Sequence, residues 1–174
     1  MKPIFLNYIC QYTIENDKKP TEKQELIKWL RNGKMRHLDL FSGIGGFGLA
    51  ARWAGMETVA FCEIAEFPRK VLEKNFPDVP IHRDIRQLEG ERYEGIDIIT
   101  GGFPCQDISR CGSGAGLNGR RSGLWYEMLR IIRSVRPQWV IIENSSSLRS
   151  KGLASILQDL WKIGFSVGFL SFSI

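Results

Sequence analysis

The chain has 174 residues, of which 43% are hydrophobic, 25% are charged and 11% are aromatic, and its formal net charge is +5. This composition is typical of an ordinary globular domain and excludes a disordered, collagen-like or disulfide-dependent chain. Its apolar runs are shorter than the roughly 20 residues that cross a bilayer, and its N-terminus lacks a secretory signal. We therefore expect a cytoplasmic protein with no membrane partner.

Residues 1–36 are predicted to form a basic N-terminal extension with one helix. A capping box begins at Thr21, and Gly33 lies where the helix is expected to stop. An apolar stripe lies between them, formed by Leu26, Ile27 and Leu30. Packing of this helix on the rest of the domain is the preferred interpretation, and binding of a partner is the alternative.

From residue 37 onward, β-rich apolar runs alternate with segments of helical period. Strands are predicted at 37–41, 58–62, 96–100 and 139–142, with a further short strand near Ile81. Helices are predicted at about 46–54, 67–75, 123–134 and 152–163. This alternation predicts an α/β domain over residues 37–174, with a doubly wound, mostly parallel sheet.

The last ten residues, 165–174, are predicted to form a strand that has no polar closing residues. An apolar strand of this kind needs a neighbour. We therefore expect that the domain is C-terminally incomplete or is completed by another chain. We also expect an exposed apolar sheet edge near residues 139–142 or 166–174.

The first predicted strand runs directly into a glycine-rich loop with Gly43, Gly45 and Gly46. Glycines let a ligand approach bare main chain at the carboxyl edge of a parallel sheet. Glu63 closes the second strand twenty residues after Gly43 and is placed to accept hydrogen bonds from ribose hydroxyls. Asp84, after the possible third strand, is a candidate to meet an adenine amino group. Together these residues predict a nucleoside pocket.

The spacing of Gly43, Gly45 and Gly48 also satisfies the dinucleotide-binding pattern, so NAD is an open alternative. Asp39, at the end of the first strand, would repel a pyrophosphate but would suit a cofactor with a cationic centre. Charge thus favours S-adenosyl-L-methionine modestly over NAD.

Cys105 follows the predicted strand 96–100 on a proline-fixed turn, at the same sheet edge as the glycine loop. The downstream arginines Arg110, Arg120 and Arg121 would favour its thiolate form. The sequence therefore indicates a reactive role for Cys105, whereas Cys62 and Cys10 are interpreted as core residues and Cys111 as a bystander. The four cysteines have no metal-ligand spacing, and no metal site is predicted.

Charge is unevenly distributed around this cysteine. Residues 37–109 carry a net charge of −5, and residues 110–136 carry +5. The basic segment indicates a surface for an anionic partner, although charge runs are more often solvated faces.

Six short motifs occur here in one order. They are Asp39-x-Phe41-x-Gly43-x-Gly45-Gly46, Glu63, Asp84-Ile85, Gly102-Phe103-Pro104-Cys105-Gln106, Gly123-Leu124-Trp125-x-Glu127 and Glu143-Asn144. Over residues 37–174 this order resembles the amino-terminal half of the DNA cytosine-5 methyltransferases, and phage-borne members most closely. The resemblance implies a Rossmann-like S-adenosylmethionine-dependent methyltransferase fold and a place in restriction–modification.

The resemblance also implies roles for individual residues. Cys105 matches the nucleophile that adds to carbon 6 of cytosine, and Glu143 matches the acid that contacts nitrogen 3 of a flipped-out base. The implied cofactor residues are Asp39, Phe41, Gly43, Gly45, Gly46, Glu63, Ile64, Asp84, Ile85 and Leu124. The implied contacts to double-stranded DNA are Gln106, Ser109, Arg110, Arg120 and Arg121.

Full-length relatives continue past this point with a Gln-x-Arg-x-Arg element, a target-reading domain and a segment that closes the cofactor pocket. We therefore expect either an active methyltransferase, with a possible second polypeptide supplying the C-terminal half, or an inactive remnant that binds DNA or a partner. An NAD-type oxidoreductase is the third hypothesis, but it explains neither Cys105 nor Glu143.

Overall fold

The structure is a computed structural model that describes residues 10–16, 33–104, 123–145, 148 and 152–171. In these residues the chain forms one sheet with strands β1 (Cys10–Asn16), β2 (Arg36–Leu40), β3 (Glu57–Cys62), β4 (Ile81–His82), β5 (Ile98–Gly101), β6 (Trp139–Asn144) and β7 (Phe165–Ser171). Its α-helices are α1 (Gly46–Trp53), α2 (Glu66–Asn75), α3 (Leu124–Val135) and α4 (Leu153–Lys162), and short 3-10 helices span Ile85–Gln87 and Gly90–Tyr93.

The sheet has the strand order β4-β3-β2-β5-β6-β1-β7. Strands β2 to β6 pair in parallel, and β1 is antiparallel to both of its neighbours. The chain moves outward from β2 to β4 and then returns to place β5 on the other side of β2. This reversal makes the carboxyl ends of β2 and β5 the switch point of the sheet, where open α/β folds bind ligands. The predicted mostly parallel, doubly wound sheet is confirmed.

Helices cover both faces of the sheet. Residues next to each other in a strand point to opposite faces, so neighbouring residues of β3 pack into two different cores. Ala60 of β3 belongs to the larger core, which includes residues of α3 and α4. Phe61, the next residue, packs with Leu72 of α2 and with Phe76 in a second core. The helices α1 and α2 lie on the Phe61 face, since a Cβ atom added at Gly48 of α1 would meet the Phe61 ring.

The predicted strands and helices from residue 37 onward are confirmed, with small differences at their ends. The largest differences are that β5 begins two residues later than predicted and that β6 extends two residues further, through Glu143 and Asn144. The helix predicted from Thr21 lies outside the described residues, apart from its expected stop at Gly33. Residues 172–174 of the predicted last strand also lie outside them.

Strand β1 was not predicted. Its Cα partners run from Cys10 opposite Asn144 to Glu15 opposite Trp139 on one side, and from Cys10 opposite Ser171 to Asn16 opposite Phe165 on the other. The predicted exposed edge at 139–142 is therefore wrong, because β1 covers β6, and β7 is the end strand instead. The boundary at residue 36 remains a prediction, although residues 10–16 pair within the sheet that it assigned to residues 37–174.

Candidate active site

The glycine loop connects β2 to α1 and bends by means of positive backbone angles. Phe41, Gly43 and Gly45 have φ values of 56°, 53° and 91°. At Gly45 a Cβ atom would lie 2.8 Å from Leu72 Cδ2 and 3.0 Å from Phe76 Cε2, so glycine is required by space as well as by conformation. The backbone at Gly45 therefore packs directly against the side chains of Leu72 in α2 and of Phe76.

Glu63 fixes this loop to the end of β3. The Gly43 amide donates to Glu63 Oε2 at 2.8 Å, and the Ala65 amide donates to Glu63 Oε1 at 2.7 Å. The sequence predicted that Glu63 would accept hydrogen bonds from ribose hydroxyls. Its two oxygens already accept backbone donors, but each carboxylate oxygen can accept a second bond.

A cavity of about 500 Å³ opens beside the loop, at the carboxyl edge of the sheet. Six of the ten predicted cofactor residues line it, whereas Asp39, Gly43, Gly45 and Gly46 are not among its lining residues. The lining residues are Phe41, Cys62, Glu63, Ile64, Arg83, Asp84, Ile85, Arg86, Gly102, Pro104 and Leu124. The structure therefore brings together residues from five of the six motifs.

Asp84 is held by an arginine that the sequence analysis did not single out. Arg86 Nε donates to both Asp84 oxygens, at 2.9 and 3.1 Å, and Arg86 Nη2 donates to Asp84 Oδ2 at 2.6 Å. The Arg86 amide also donates to Asp84 Oδ1 at 3.0 Å. These hydrogen bonds lower the pKa of Asp84. An adenine amino group would have to share this carboxylate with Arg86.

Glu143 lies at the end of β6, half-buried, and its burial raises its pKa. A Cβ atom added at Gly102 would lie 2.7 Å from Glu143 Oε2. Because Gly102 lines the cavity, the Glu143 carboxyl sits directly behind a part of the wall that has no side chain. The sequence treated Gly102 only as part of a motif. The contact depends on the pairing of β5 with β6, which places Gly101 opposite Ile142, and no local sequence pattern signals it.

The next residue of β6 orients the loop that leads to Cys105. Asn144 is buried, and its Nδ2 donates to the carbonyl oxygen of Phe103 at 3.1 Å. The Phe103 ring packs on Trp125 with 5.6 Å between centroids. These contacts place Pro104 in the cavity wall. Cys105 itself, and the predicted DNA contacts Gln106, Ser109, Arg110, Arg120 and Arg121, lie outside the described residues.

Asp39 lies behind the cavity wall, fully buried. Thr100 Oγ1 donates to Asp39 Oδ1 at 2.6 Å, and among the described residues no hydrogen-bond partner is found for Asp39 Oδ2. Burial is the largest cause that raises the pKa of Asp39 to about 7, and the charge of Glu63 adds to it. The Thr100 hydrogen bond acts in the opposite direction, followed by the polar influence of the Gly48 backbone and of the Ser42 hydroxyl, which itself donates to the Asp39 main-chain carbonyl at 2.8 Å.

Cys62 is buried, and desolvation raises the pKa of its thiol to about 12, which agrees with its interpretation as a core residue. In the described part of the chain, no group of three or more His, Cys, Asp and Glu side chains is placed to hold a metal ion. None of the helices in the described ranges is long and apolar enough to cross a membrane.

Comparisons with known proteins point to one family. The family model for C-5 cytosine-specific DNA methylases matches residues 35–170. The type II methyltransferase M2.BsuMI of Bacillus subtilis is 36% identical over 76% of this chain, and M.CviJI of Paramecium bursaria Chlorella virus IL3A is 36% identical over 75%. A crystal structure of a DNA modification methyltransferase encoded within an E. coli prophage is 25% identical, with a TM-score of 0.61 over 75% of this chain and 37% of that one.

This chain matches 36% of the length of each of those two curated relatives, so it corresponds to one part of them. The range matched by the family model, residues 35–170, includes the glycine loop, the lining residues of the cavity and the strand that carries Glu143. The chain therefore belongs to the C-5 cytosine-specific DNA methylase family.

Proposed function

We propose that this chain is the cofactor-binding and catalytic part of a DNA (cytosine-5-)-methyltransferase that uses S-adenosyl-L-methionine. The observation that carries the proposal is the position of Glu143, whose carboxyl lies against Gly102 at the cavity wall. Pro104, which immediately precedes Cys105, lines the same cavity. A carboxylic acid and the chain leading to a cysteine thus converge on one pocket.

The residues of the cavity fit the proposed cofactor. Its volume of about 500 Å³ lies in the usual range for small-molecule sites, about 300–1,000 Å³. Bound there, S-adenosyl-L-methionine would supply an electrophilic methyl group. The residues that would hold it are Phe41, Glu63, Ile64, Asp84, Ile85 and Leu124, with the loop of Gly43, Gly45 and Gly46 behind them.

Cys105 is the proposed nucleophile. Its sulfur would form a bond to carbon 6 of cytosine, which gives carbon 5 the electron density to accept a methyl group. Loss of the proton on carbon 5 and departure of the sulfur would then restore the ring. The thiol proton must leave first, so a local positive charge from Arg110, Arg120 or Arg121 would help.

Glu143 is the proposed acid. Negative charge accumulates on nitrogen 3 of the ring when sulfur adds to carbon 6, and a protonated carboxyl there would donate a hydrogen bond to it. Burial raises the pKa of Glu143, so burial favours the protonated form that this role requires.

Double-stranded DNA is the proposed substrate, and the target base must leave the helix to reach this pocket. Gln106, Ser109, Arg110, Arg120 and Arg121 are proposed to contact it, chiefly through phosphates. A second polypeptide is proposed to supply the part of the relatives that this chain does not match. A cytoplasmic location is part of this proposal because the substrate is DNA.

A covalent trapping experiment tests the catalytic assignment. The full chain, alone and with a candidate complementing polypeptide, is incubated with S-adenosyl-L-methionine and duplex DNA that contains 5-fluorocytosine. Fluorine at carbon 5 cannot leave as a proton does, so a working Cys105 stays attached to the DNA and the complex survives denaturing electrophoresis. Cys105→Ser should abolish the complex, and Glu143→Gln should slow its formation at least tenfold. A complex that forms equally well with Cys105→Ser would disprove the assignment.

Calorimetry tests the cofactor separately from the chemistry. S-adenosylhomocysteine should bind to the chain without DNA, and NAD should not. Binding of NAD alone would favour the oxidoreductase hypothesis. Binding of S-adenosylhomocysteine without any trapped DNA complex, under every condition, would favour the inactive remnant.

A further inference from the structure

Four polar side chains form a hydrogen-bonded row across β3, β2 and β5. Thr58 Oγ1 lies 3.0 Å from His37 Nδ1, and His37 Nε2 lies 2.7 Å from Thr100 Oγ1. Thr100 Oγ1 in turn donates to Asp39 Oδ1 at 2.6 Å. His37, Asp39 and Thr100 are all buried. The row therefore connects half-buried Thr58 to buried Asp39 through direct side-chain hydrogen bonds.

The hydrogen bonds of this row have a fixed order of donors and acceptors. Ionised Asp39 can only accept, so the Thr100 hydroxyl donates to it. The Thr100 oxygen is then free to accept the Nε2 proton of His37, and Nδ1 of His37 accepts from the Thr58 hydroxyl. This arrangement needs a neutral imidazole, and burial lowers the pKa of His37 to about 4. Each group thus orients the next, and the row ends at Asp39.

The second carboxylate oxygen of Asp39, Oδ2, lies outside this row. Asp39 Oδ2 is buried, and no residue in the described part of the chain is a hydrogen-bond partner for it. An unpartnered buried carboxylate oxygen is costly, so a nearby positive charge would stabilise the ionised form of this group. The described charged and titratable groups around Asp39 are Cys62 and Glu63 at the end of β3 and His37 of β2. Strand β5 presents Thr100, and α1 presents the Gly48 amide. None of them supplies that positive charge.

Asp39 is close to the cofactor cavity without lining it. Phe41, two residues later, is in the wall, and so is Glu63, whose charge acts on Asp39. A cationic ligand in the cavity would therefore interact with a carboxylate that lies one layer behind the wall. S-adenosyl-L-methionine carries one positive charge more than its product S-adenosylhomocysteine, because only the former has a sulfonium.

We propose that Asp39 distinguishes the methyl donor from its product by charge, and that Thr100, His37 and Thr58 are positioning residues that act through Asp39. The inference rests on the proposed function. Ionised Asp39 favours the cationic donor, and protonated Asp39 does not discriminate. By linkage, binding of the donor would lower the pKa of Asp39, so donor binding near that pKa would release a fraction of a proton to the buffer.

The test is calorimetry of the full chain with S-adenosyl-L-methionine and with S-adenosylhomocysteine, from pH 5.5 to pH 8. The ratio of the two affinities should rise in favour of the donor by roughly five- to tenfold, the effect expected for unit charges separated by one layer of side chains. The midpoint of the rise should lie near pH 7. Titrations below that midpoint, in two buffers of different ionisation enthalpy, should show more proton release with the donor than with the product.

Three variants separate the roles in the row. Asp39→Asn should make the affinity ratio independent of pH, because the amide keeps an acceptor for Thr100 but cannot ionise. Thr100→Val removes the donor that favours ionised Asp39, so the midpoint should move to higher pH. Thr58→Val is the matched control, since Thr58 contacts His37 but not Asp39, and its midpoint should move less.

The outcomes distinguish the inference from the proposed function. An affinity ratio that does not change with pH in the unmodified chain, with equal proton release for both ligands, would overturn the inference and leave the cofactor assignment intact. A pH-dependent ratio that persists in Asp39→Asn would also overturn it. If neither ligand binds at any pH, the proposed function itself fails. The proton-release measurement needs no variant and decides the matter even if a substitution prevents folding.

Discussion

Glu143 and Gly102 act together as one feature of the molecule. The carboxyl can occupy its half-buried position beside the cavity because the facing residue has no Cβ atom. The same position separates the carboxyl from water, and burial is the cause of its raised pKa. The absence of a side chain at Gly102 thus leaves space for the Glu143 carboxyl in a half-buried position, and this position raises its pKa.

Glu143→Gln should increase stability more at pH 8 than at pH 4. The folded state keeps the Glu143 proton to a higher pH than the unfolded state does, so Glu143 reduces stability as pH rises above its unfolded pKa. The amide cannot ionise and removes this loss. Urea denaturation midpoints across that pH range measure the effect. Glu73→Gln, at an exposed position of α2, is the control, and the same pH dependence in both variants would contradict the prediction.

Gly48→Ala should destabilise the domain by about 1–3 kcal/mol, the usual result of overpacking. A Cβ atom there would lie 2.6 Å from Phe61 Cε1. Gly46 begins the same helix, and a Cβ atom at that position meets nothing within 4 Å. Gly46→Ala should therefore be neutral, or stabilising by up to about 1 kcal/mol. Equal losses in denaturant midpoint for both variants would refute this account.

The sequence predicted the individual site residues better than their partners. Glu63 was placed at the loop by its distance from Gly43, and their hydrogen bond confirms that proximity. The pairing of Asp84 with Arg86 was missed because Asp84 was assigned to a ligand from its motif alone. The motif does not consider hydrogen bonds from nearby basic residues. His37 was missed because a buried polar residue in a strand reveals its role only when its cross-strand neighbours, here Thr58 and Thr100, are known.

At the scale of elements, α3 holds one wall of the cavity in place. Arg130 Nη2 donates to the Ile85 carbonyl at 2.8 Å, and Arg130 Nη1 donates to the Leu88 carbonyl at 3.0 Å. Ile85 lines the cavity. One side chain of α3 thus fixes the backbone of the segment between β4 and β5.

Arg130→Met should weaken binding of S-adenosylhomocysteine about tenfold, because both carbonyl oxygens lose a charged donor. The methionine keeps much of the aliphatic volume. Arg133→Met, an exposed position on the same helix, should change the affinity by less than about twofold. Calorimetry at constant ionic strength checks both values. A similar loss of affinity in the two variants would show that the positive charge of the helix matters, and not the hydrogen bonds from Arg130 to the Ile85 and Leu88 carbonyls.

The elements after residue 36 were predicted almost completely, and the reason is physical. Strands buried on both faces are continuous apolar runs, and the helices between them show helical periodicity. The segment Cys10–Asn16 mixes polar and apolar residues and resembles neither pattern clearly. Its strand exists because β6 and β7 flank it, and a local pattern carries no information about such distant partners.

At the scale of the whole molecule, β1 connects two strands that do not touch each other in the sheet order. Thr13→Pro should destabilise the domain by about 3 kcal/mol or more, because Thr13 lies in the middle of a strand that is paired on both sides. Thr13→Val keeps the backbone donor and suits a strand, so its denaturant midpoint should stay close to that of the unmodified chain. An unchanged midpoint in Thr13→Pro would show that β1 contributes little to stability.

The overall architecture followed from the alternation of strands and helices, but the closure of the sheet did not. The sequence predicted an open edge near residues 139–142 or 166–174, on the expectation that the strand next to β6 belongs to a part of the relatives that this chain lacks. The structure fills that position from the N-terminal side instead. In the described sheet the end strand is β7, so only the first of these two locations is wrong. The replacement of one strand by another depends on the geometry of the sheet and on the unpaired backbone groups of β6. Neither can be read from the sequence.

Placing β1 beside β7 also sets an order for folding during synthesis. Cys10 pairs with Ser171, so the two sides of this ladder leave the ribosome far apart in time. Contacts with such large sequence separation close late and slow the search for the native state. Until translation reaches β7, the nascent chain carries a strand that can pair on one side at most, and this interval is when a chaperone would be most useful.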